Sequence, residues 1–250
     1  MIDPSRRQFL QTAAASVAAT AILDAAQASE PSSAAPAPNA IPAFAPVHAI
    51  KPLSFDPSKL NGLSEKLMRS HWENNYAGSV KTLNAVKQKL AQALADKDTP
   101  PFAYNDLKRE HLLRTGSVVL HELYFDNLGG DGKADADIRK QLGEAFGTFD
   151  RWETEFRRIG MGLSGGSGWV VTAYNLHLGQ IENYWLADHL HAPAASLPLL
   201  VMDMYEHSYQ LDYGAAAAKY IDAFFQNIRW EIVAERLAQA RAYAAAIQAR

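Results

Sequence analysis

The hydrophobic pattern of the chain changes at the segment Gly129-Gly130-Asp131-Gly132. Before this segment, apolar residues recur at three- and four-residue steps, as they do along one face of a helix; Leu83, Val86 and Leu90 are an example. After it, short helical patterns alternate with runs rich in Val, Thr and aromatic residues, which favour strands. Four consecutive turn-forming residues between two such patterns predict a domain boundary there.

The first half predicts a helical hairpin. A helical pattern runs from Pro57 to the segment Thr99-Pro100-Pro101, where it ends because proline lacks the backbone N–H and disfavours helix before it. A second helix is expected over residues 106–127, with Leu112, Val119, Leu123 and Leu128 as its apolar positions.

The second half predicts a mixture of helices and strands. Two short helices are expected at 137–146 and 150–159, the second beginning with an Asp150 and Glu153 capping pair. Strands are expected at 169–174, 181–186 and 197–202, and helix again from Tyr213 to Arg250. The expected fold class is therefore α+β, an N-terminal helical hairpin domain followed by an α+β domain with a small three-stranded antiparallel sheet.

Composition excludes several classes of function and site. The 250 residues include no cysteine, so disulfides, thiolate metal sites and cysteine nucleophiles are excluded, and His, Asp and Glu are the candidate ligands. The formal net charge of -3 offers no basic field for nucleic acid, so none is expected as a partner.

The N-terminus predicts export. Ser5-Arg6-Arg7-Gln8-Phe9-Leu10 precedes a mildly apolar run and the small-residue pattern Ala26-Gln27-Ala28, which together are typical of a twin-arginine signal peptide. The run is too short and too rich in alanine for stable membrane insertion. We expect a periplasmic or secreted protein, with a signal peptide at 1–28, a Pro/Ala/Ser-rich linker at 29–46, the hairpin domain at 47–130 and the α+β domain at 131–250.

Asp203 and His207 are the first candidate site residues. A strand end would fix the direction of the Asp203 carboxylate, and the following turn would let the His207 imidazole approach the same point. On composition alone, a hydrophobic strand that runs into an ordinary polar turn explains the segment equally well.

The segment Asp-Met-Tyr-Glu-His-Ser-Tyr-Gln-Leu-Asp-Tyr, residues 203–213, resembles the signature of the iron/manganese superoxide dismutases. The resemblance extends to 219–225, Asn227, Trp230 and Gly166-Ser167-Gly168-Trp169. In the first half it includes His71 with 75–78 and 80–84, and His121 with 122–125. It spans about residues 51–237.

The resemblance implies a superoxide dismutase that converts superoxide to dioxygen and hydrogen peroxide by redox cycling of one iron or manganese ion per chain. Three imidazoles and one carboxylate suit such an ion. It further implies a homodimer or homotetramer in which Glu206 reaches a ligand histidine of the partner subunit. The implied metal ligands are His71, His121, Asp203 and His207. The other implied site residues are Asn75, Ser79, Tyr124, Trp169 and Glu206, with Tyr205 in the aromatic shell.

Three positions depart from the family pattern. Asn75 stands where a histidine is frequent, and Ser79 stands where a gateway tyrosine is usual. The glutamine that bonds the metal-bound solvent is expected at position 117 or 165, which hold Ser117 and Gly165. His189 is a candidate replacement for that glutamine, with a solvent-facing loop histidine as the alternative.

Two other functions stay open at this point. A metal-binding relative could keep the ligands and the fold without dismutase activity, and Ser79, Ser117 and Gly165 favour that alternative. A non-haem iron oxygenase uses two histidines and one carboxylate, but a fourth ligand here would close one of the positions that such an enzyme leaves open.

Overall fold

The structure is a computed structural model that describes residues 41–248. The predicted signal peptide and most of the predicted linker lie outside these residues. In the described part of the chain, no helix has the length and apolar character to cross a membrane.

The first half forms the predicted hairpin. Its bounds are Glu65–Ser70 (α1), a π-helical turn at His71–Tyr76, Ala77–Ala95 (α2) and Pro101–Asp126 (α3). Helix α1 begins later than Pro57, because Gly62 adopts a positive φ of 74° and the Ser64 hydroxyl caps the helix by accepting from Leu67 N. Helix α3 begins earlier than 106, because Pro101 stands at its first position, where a missing N–H costs nothing.

The buried face of α3 differs from the expected one. Leu112 and Val119 are about half exposed, whereas Ser117, His121 and Tyr124 are buried. Three residues of this helix with polar groups therefore face the interior, which is unusual unless those groups have partners there.

Two further helices, Ala136–Phe146 (α4) and Phe149–Gly162 (α5), lead to the sheet. The expected capping pair at Asp150 and Glu153 is wrong: Thr148 is the N-cap, and its side chain accepts from Arg151 N. A threonine hydroxyl in this position satisfies one of the free N–H groups of the first turn.

The sheet has the predicted three antiparallel strands, in the order β2-β1-β3. Their bounds are Trp169–Asn175 (β1), Gln180–Leu186 (β2) and Ser196–Asp203 (β3). In the register of the central strand, Trp169 lies directly opposite Asp203. The start of β1 and the end of β3 thus lie side by side at one end of the sheet.

The last part of the chain is helical but interrupted. Its helices are Gln210–Tyr213 (α6), Ala217–Gln226 (α7) and Trp230–Gln248 (α8). Gly214, with a φ of 52°, separates the first two, and Asn227, whose side chain bonds back to Ala223 O, ends the second. Ala240 and Ala244 are buried, so α8 stays packed beyond Leu237.

One hydrophobic cluster connects the hairpin with the sheet and the last helices. It contains Tyr124 of α3, Trp169 of β1 and Tyr220 of α7. The division into two domains near residue 130 stays a prediction. The glycine turn itself is present, with positive φ at Gly129 and Gly132.

Candidate metal centre

Four potential ligand side chains meet between the hairpin and the sheet. Asp203 ends β3, His207 lies in the turn after it, His71 begins the π-helical turn and His121 lies in the last third of α3. Their ligand atoms all lie within 4.8 Å of one another. Side chains from residues as far apart as 71 and 207 thus meet at one point.

The Asp203 carboxylate is at the centre of this cluster. Its Oδ2 lies 3.1 Å from His71 Nε2, 3.2 Å from His207 Nε2 and 3.6 Å from His121 Nε2. Its Oδ1 accepts from Tyr205 N at 2.8 Å. The Asp203 backbone carbonyl accepts from the hydroxyl of Tyr220 at 2.6 Å, so both ends of the residue are fixed.

A hydrogen bond sets the tautomer of His121. Its Nδ1 lies 2.7 Å from Ser117 O, and because a carbonyl oxygen only accepts, Nδ1 carries the proton. The Nε2 lone pair therefore points into the cluster, where this buried atom has no hydrogen-bond partner within residues 41–248. A backbone carbonyl that orients a ligand imidazole is the usual arrangement in metal sites.

Burial keeps the imidazoles of His71 and His121 neutral. It lowers the pKa of His121 to about 3, with a further contribution from His71, and it also lowers the pKa of His71. Burial alone would raise the pKa of the Asp203 carboxyl, but His207 and His71 hold it well below its usual range. The site therefore offers two neutral imidazoles, those of His71 and His121, and an ionised carboxylate, the forms that bind metal.

These residues fit a first-row transition metal ion. The lone pair of His121 Nε2 is buried and unpaired, which costs free energy unless a cation accepts it. The donor set of three nitrogens and one oxygen suits iron or manganese and lacks the oxygen-rich coordination that calcium or magnesium requires. The cluster also holds one ligand more than the two histidines and one carboxylate of a non-haem oxygenase.

Aromatic residues surround the cluster. The ring of Tyr124 lies 5.2 Å from that of His71, and the ring of Trp169 lies 5.1 Å from that of His121. Tyr205 stacks on His207 at 5.2 Å. Burial raises the pKa of Tyr205 to about 12, so its hydroxyl keeps its proton at neutral pH.

A cavity of about 260 Å³ adjoins the cluster and has His121 and His207 in its wall. Asn75 and Ser79 line it from the hairpin. The Ser79 hydroxyl lies 2.8 Å from the Ser117 hydroxyl, so two of the positions that depart from the family pattern form a pair of small buried side chains. Gly165 lies elsewhere, and its N–H donates to the Tyr209 hydroxyl.

His189 lies in the wall of the same cavity. Trp169 Nε1 donates to His189 Nδ1 at 3.0 Å, and Tyr205 stacks on the ring at 4.5 Å. Burial lowers the pKa of His189 to about 4, so the imidazole is neutral near pH 7. Because an indole N–H only donates, Nδ1 accepts, and the proton of neutral His189 is on Nε2. His189 is thus a partly buried, oriented donor and not a solvent-facing loop histidine.

Glu206 stands apart from the cluster. Its side chain is exposed and has no hydrogen-bond or ion-pair partner within residues 41–248. Sequence reasoning missed Arg114, which also lines the cavity. The signal was present, since Arg114 lies seven residues before His121 in one predicted helix.

Comparisons with known proteins agree with this geometry. The family model described as iron/manganese superoxide dismutases, C-terminal domain, matches residues 134–236. The model of the twin-arginine translocation pathway signal sequence matches residues 3–22.

Among similar curated proteins, an iron superoxide dismutase of Cupriavidus metallidurans is 50% identical over 194 residues, which are 78% of this chain and 98% of that protein. An iron superoxide dismutase of Aquifex pyrophilus is 35% identical over 80% of this chain and 96% of its own length. A manganese superoxide dismutase of Mycobacterium intracellulare is 31% identical over 71% and 86%. With 50% identity to a protein that it matches over 98% of that protein's length, the chain belongs to the iron/manganese superoxide dismutase family.

Proposed function

We propose that this protein is a superoxide dismutase, with one iron or manganese ion per chain held by His71, His121, Asp203 and His207. The observation that carries the proposal is the approach of three imidazole Nε2 atoms to one buried carboxylate oxygen, at 3.1 to 3.6 Å. The relatives support the activity, because both iron and manganese members of the family resemble the chain.

Held by these residues, an iron or manganese ion would supply one-electron redox chemistry, which the conversion of two superoxides and two protons to dioxygen and hydrogen peroxide requires. The protein's residues provide the rest. His71 and His121 fix the ion deep in the interior, while the cavity beside His207, lined by Asn75 and Ser79, admits a small anion. Tyr124 and Trp169 exclude water from the other side of the ligands.

His189 replaces the missing glutamine in this proposal. The glutamine would offer an N–H donor beside the ligands, and His189 Nε2 offers one in the same cavity as His121 and His207. Its ring is fixed by the Trp169 hydrogen bond and the stack on Tyr205. A donor with a fixed direction can both tune the redox potential of the site and pass a proton to it.

The protein acts as a homodimer or homotetramer in this proposal, with Glu206 directed at a ligand histidine of the partner subunit. The exposed Glu206 carboxylate without a partner in its own chain supports this arrangement. Light scattering on the purified protein tests it: a dimer or tetramer that Glu206→Ala weakens is expected, and a monomer at micromolar concentration would contradict it.

The compartment is the periplasm or the exterior. The twin-arginine match at residues 3–22 supports this assignment, and that pathway suits a protein that receives its metal before export. Fractionation of cells that express the full chain tests it, with the shortened protein expected outside the cytoplasm.

A dismutase assay on metal-loaded protein tests the proposed activity. We expect turnover by the wild-type protein and, for Asp203→Asn, a loss of metal with a more than about 100-fold lower activity, because removal of the charge leaves three imidazoles without their central carboxylate. Asp150→Asn removes an exposed carboxylate of α5 and is the matched control. Full metal occupancy without turnover in the wild-type protein would exclude the activity and favour a metal-binding relative.

A further inference from the structure

Among residues 41–248, Arg114 is the one lysine, arginine, aspartate or glutamate in the wall of the cavity beside the metal ligands. Its lining consists of amides, hydroxyls, glycine, imidazoles and the guanidinium of Arg114. We call this cavity the vestibule. Arg114 is thus the permanent positive charge that an anion meets when it enters the vestibule from solvent.

Arg114 and the ligand His121 lie on the same face of α3. Glu110, Arg114, Ser117 and His121 follow one another at steps of four, three and four residues, which is the spacing of one helical stripe. At 1.5 Å per residue, Arg114 lies about 10 Å before His121 along the helix axis. The stripe thus leads from the cation through a small hydroxyl to a metal ligand.

The guanidinium is oriented but not saturated. Arg114 Nε donates to Glu110 Oε1 at 2.6 Å, and about a third of each side chain is exposed. The two Nη groups have no hydrogen-bond partner within residues 41–248. Four N–H donors in a planar fork are therefore available to a small anion.

The positive charge of Arg114 reaches the inner wall. Burial is the main cause of the lowered pKa of His189, and the charge of Arg114 contributes to it. Ser79 and Ser117, which bond to each other across the hairpin, line the vestibule together with Arg114. A cation beside a cleft raises the local concentration of anions, and this effect weakens with salt.

We propose that Arg114 is the anion-recognition residue of the vestibule, whose Nη groups attract and orient superoxide before it reaches the metal ligands. Glu110 holds the guanidinium in place, and its negative charge partly offsets the positive charge of Arg114. The inference rests on the proposed dismutase function. It assigns to this chain a substrate-positioning residue that the ligand cluster does not include.

The test compares charge variants of the metal-loaded enzyme. kcat/KM for superoxide is measured by stopped flow from 10 to 200 mM salt, and the dissociation constant of azide, an anion of the same charge, is measured by absorption titration. Arg114→Gln removes the charge and Arg114→Lys keeps it. Arg69→Gln is the matched control, because Arg69 is also paired with a glutamate four residues earlier, at 2.7 Å, and does not line the vestibule.

At low salt we expect Arg114→Gln to lower kcat/KM and to weaken azide binding by about threefold to tenfold, as loss of one charge about 10 Å from the site predicts. Arg114→Lys stays within about twofold of the wild type, and Arg69→Gln is unchanged. The salt dependence of kcat/KM becomes shallower only in Arg114→Gln. Glu110→Gln raises kcat/KM, a gain that a folding defect would not produce.

Equal rates and azide affinities in Arg114→Gln and Arg69→Gln would overturn the inference, as would a loss in Arg114→Lys as large as in Arg114→Gln. Metal content is determined for every variant, so that a difference in occupancy is corrected for. If the wild-type enzyme does not dismute superoxide, the proposed function fails, whereas the azide titration still decides whether Arg114 recognises anions.

Discussion

Single hydrogen bonds decide which atoms of the site can react. The Ser117 carbonyl holds the proton of His121 on Nδ1 and so directs Nε2 at the cluster. The Trp169 indole does the reverse for His189: it donates to Nδ1 and so leaves the proton on Nε2. The two histidines, whose ring centroids lie 5.7 Å apart, therefore present opposite groups at Nε2: His121 a lone pair and His189 an N–H donor.

Substitution of His189 tests the second role. We expect His189→Leu to retain the metal but to lower dismutase activity by about 10- to 100-fold and to shift the midpoint potential, because the fixed donor is lost. His189→Gln restores an N–H donor and recovers part of both. If His189→Leu keeps the wild-type activity, midpoint potential and pH profile at equal metal content, the proposed role of His189 is refuted.

The ligand set was predictable from the sequence only through the family resemblance. Asp203 and His207 stood in a segment that an ordinary turn would have explained, and His71 and His121 could have been core histidines. Arg114 could have been found from its spacing of seven residues to His121 in one helix, whereas the proximity of His189 to the ligands depends on how a loop packs. No local pattern of residues encodes that packing.

At the scale of elements, the packing of the loop after β2 against α3 depends on one close contact. A Cβ at Gly116 would overlap the backbone carbonyl oxygen of His189, so this glycine lets the loop lie against the helix. The contact places His189 over the vestibule. The π-helical turn at His71–Tyr76 is a second local device, of a kind that is frequent at functional sites.

Gly116→Ala should therefore displace the loop that carries His189. We expect the free energy of unfolding to fall by about 2 kcal/mol, as for an overpacked interior, with lower activity at unchanged metal content. Gly162→Ala is the control, because a Cβ there meets nothing within 4 Å. Chemical denaturation of both variants measures the difference, and equal stabilities would show that the loop does not need the close contact.

The type and order of the elements were predictable, whereas several ends were not. The strands and the hairpin follow from periodicity. The late start of α1 depends on Gly62, which packs against Tyr213 and Ala223 far along the chain. The N-cap of α5 is Thr148. The buried face of α3 escaped prediction, because Ser117 and His121 are buried beside the other candidate ligands, whereas Leu112 and Val119 are about half exposed.

At the scale of the whole molecule, the metal ligands make stability depend on pH. The pKa of His121 is about 3 in the folded protein, against an ordinary value of 6.5. Between these values the unfolded chain binds a proton that the folded chain does not. The free energy of unfolding of the metal-free protein therefore falls as the pH falls from about 6.5 towards 3, by about 1.4 kcal/mol per pH unit for His121.

Urea unfolding of the metal-free protein at several pH values measures this slope. In His121→Gln, about one proton fewer is bound on unfolding, so the free energy of unfolding should depend less steeply on pH. A slope that is the same in both proteins would mean that His121 is already protonated in the folded state, contrary to its burial.

The central claim is that side chains from distant parts of the chain hold one redox-active ion. It is tested most directly by elemental analysis and a dismutase assay on the same sample, purified from its native compartment. The account predicts about one iron or manganese ion per chain and dismutase activity proportional to that content. Protein that stays metal-free when offered both ions, or that is fully loaded and inactive, would contradict it.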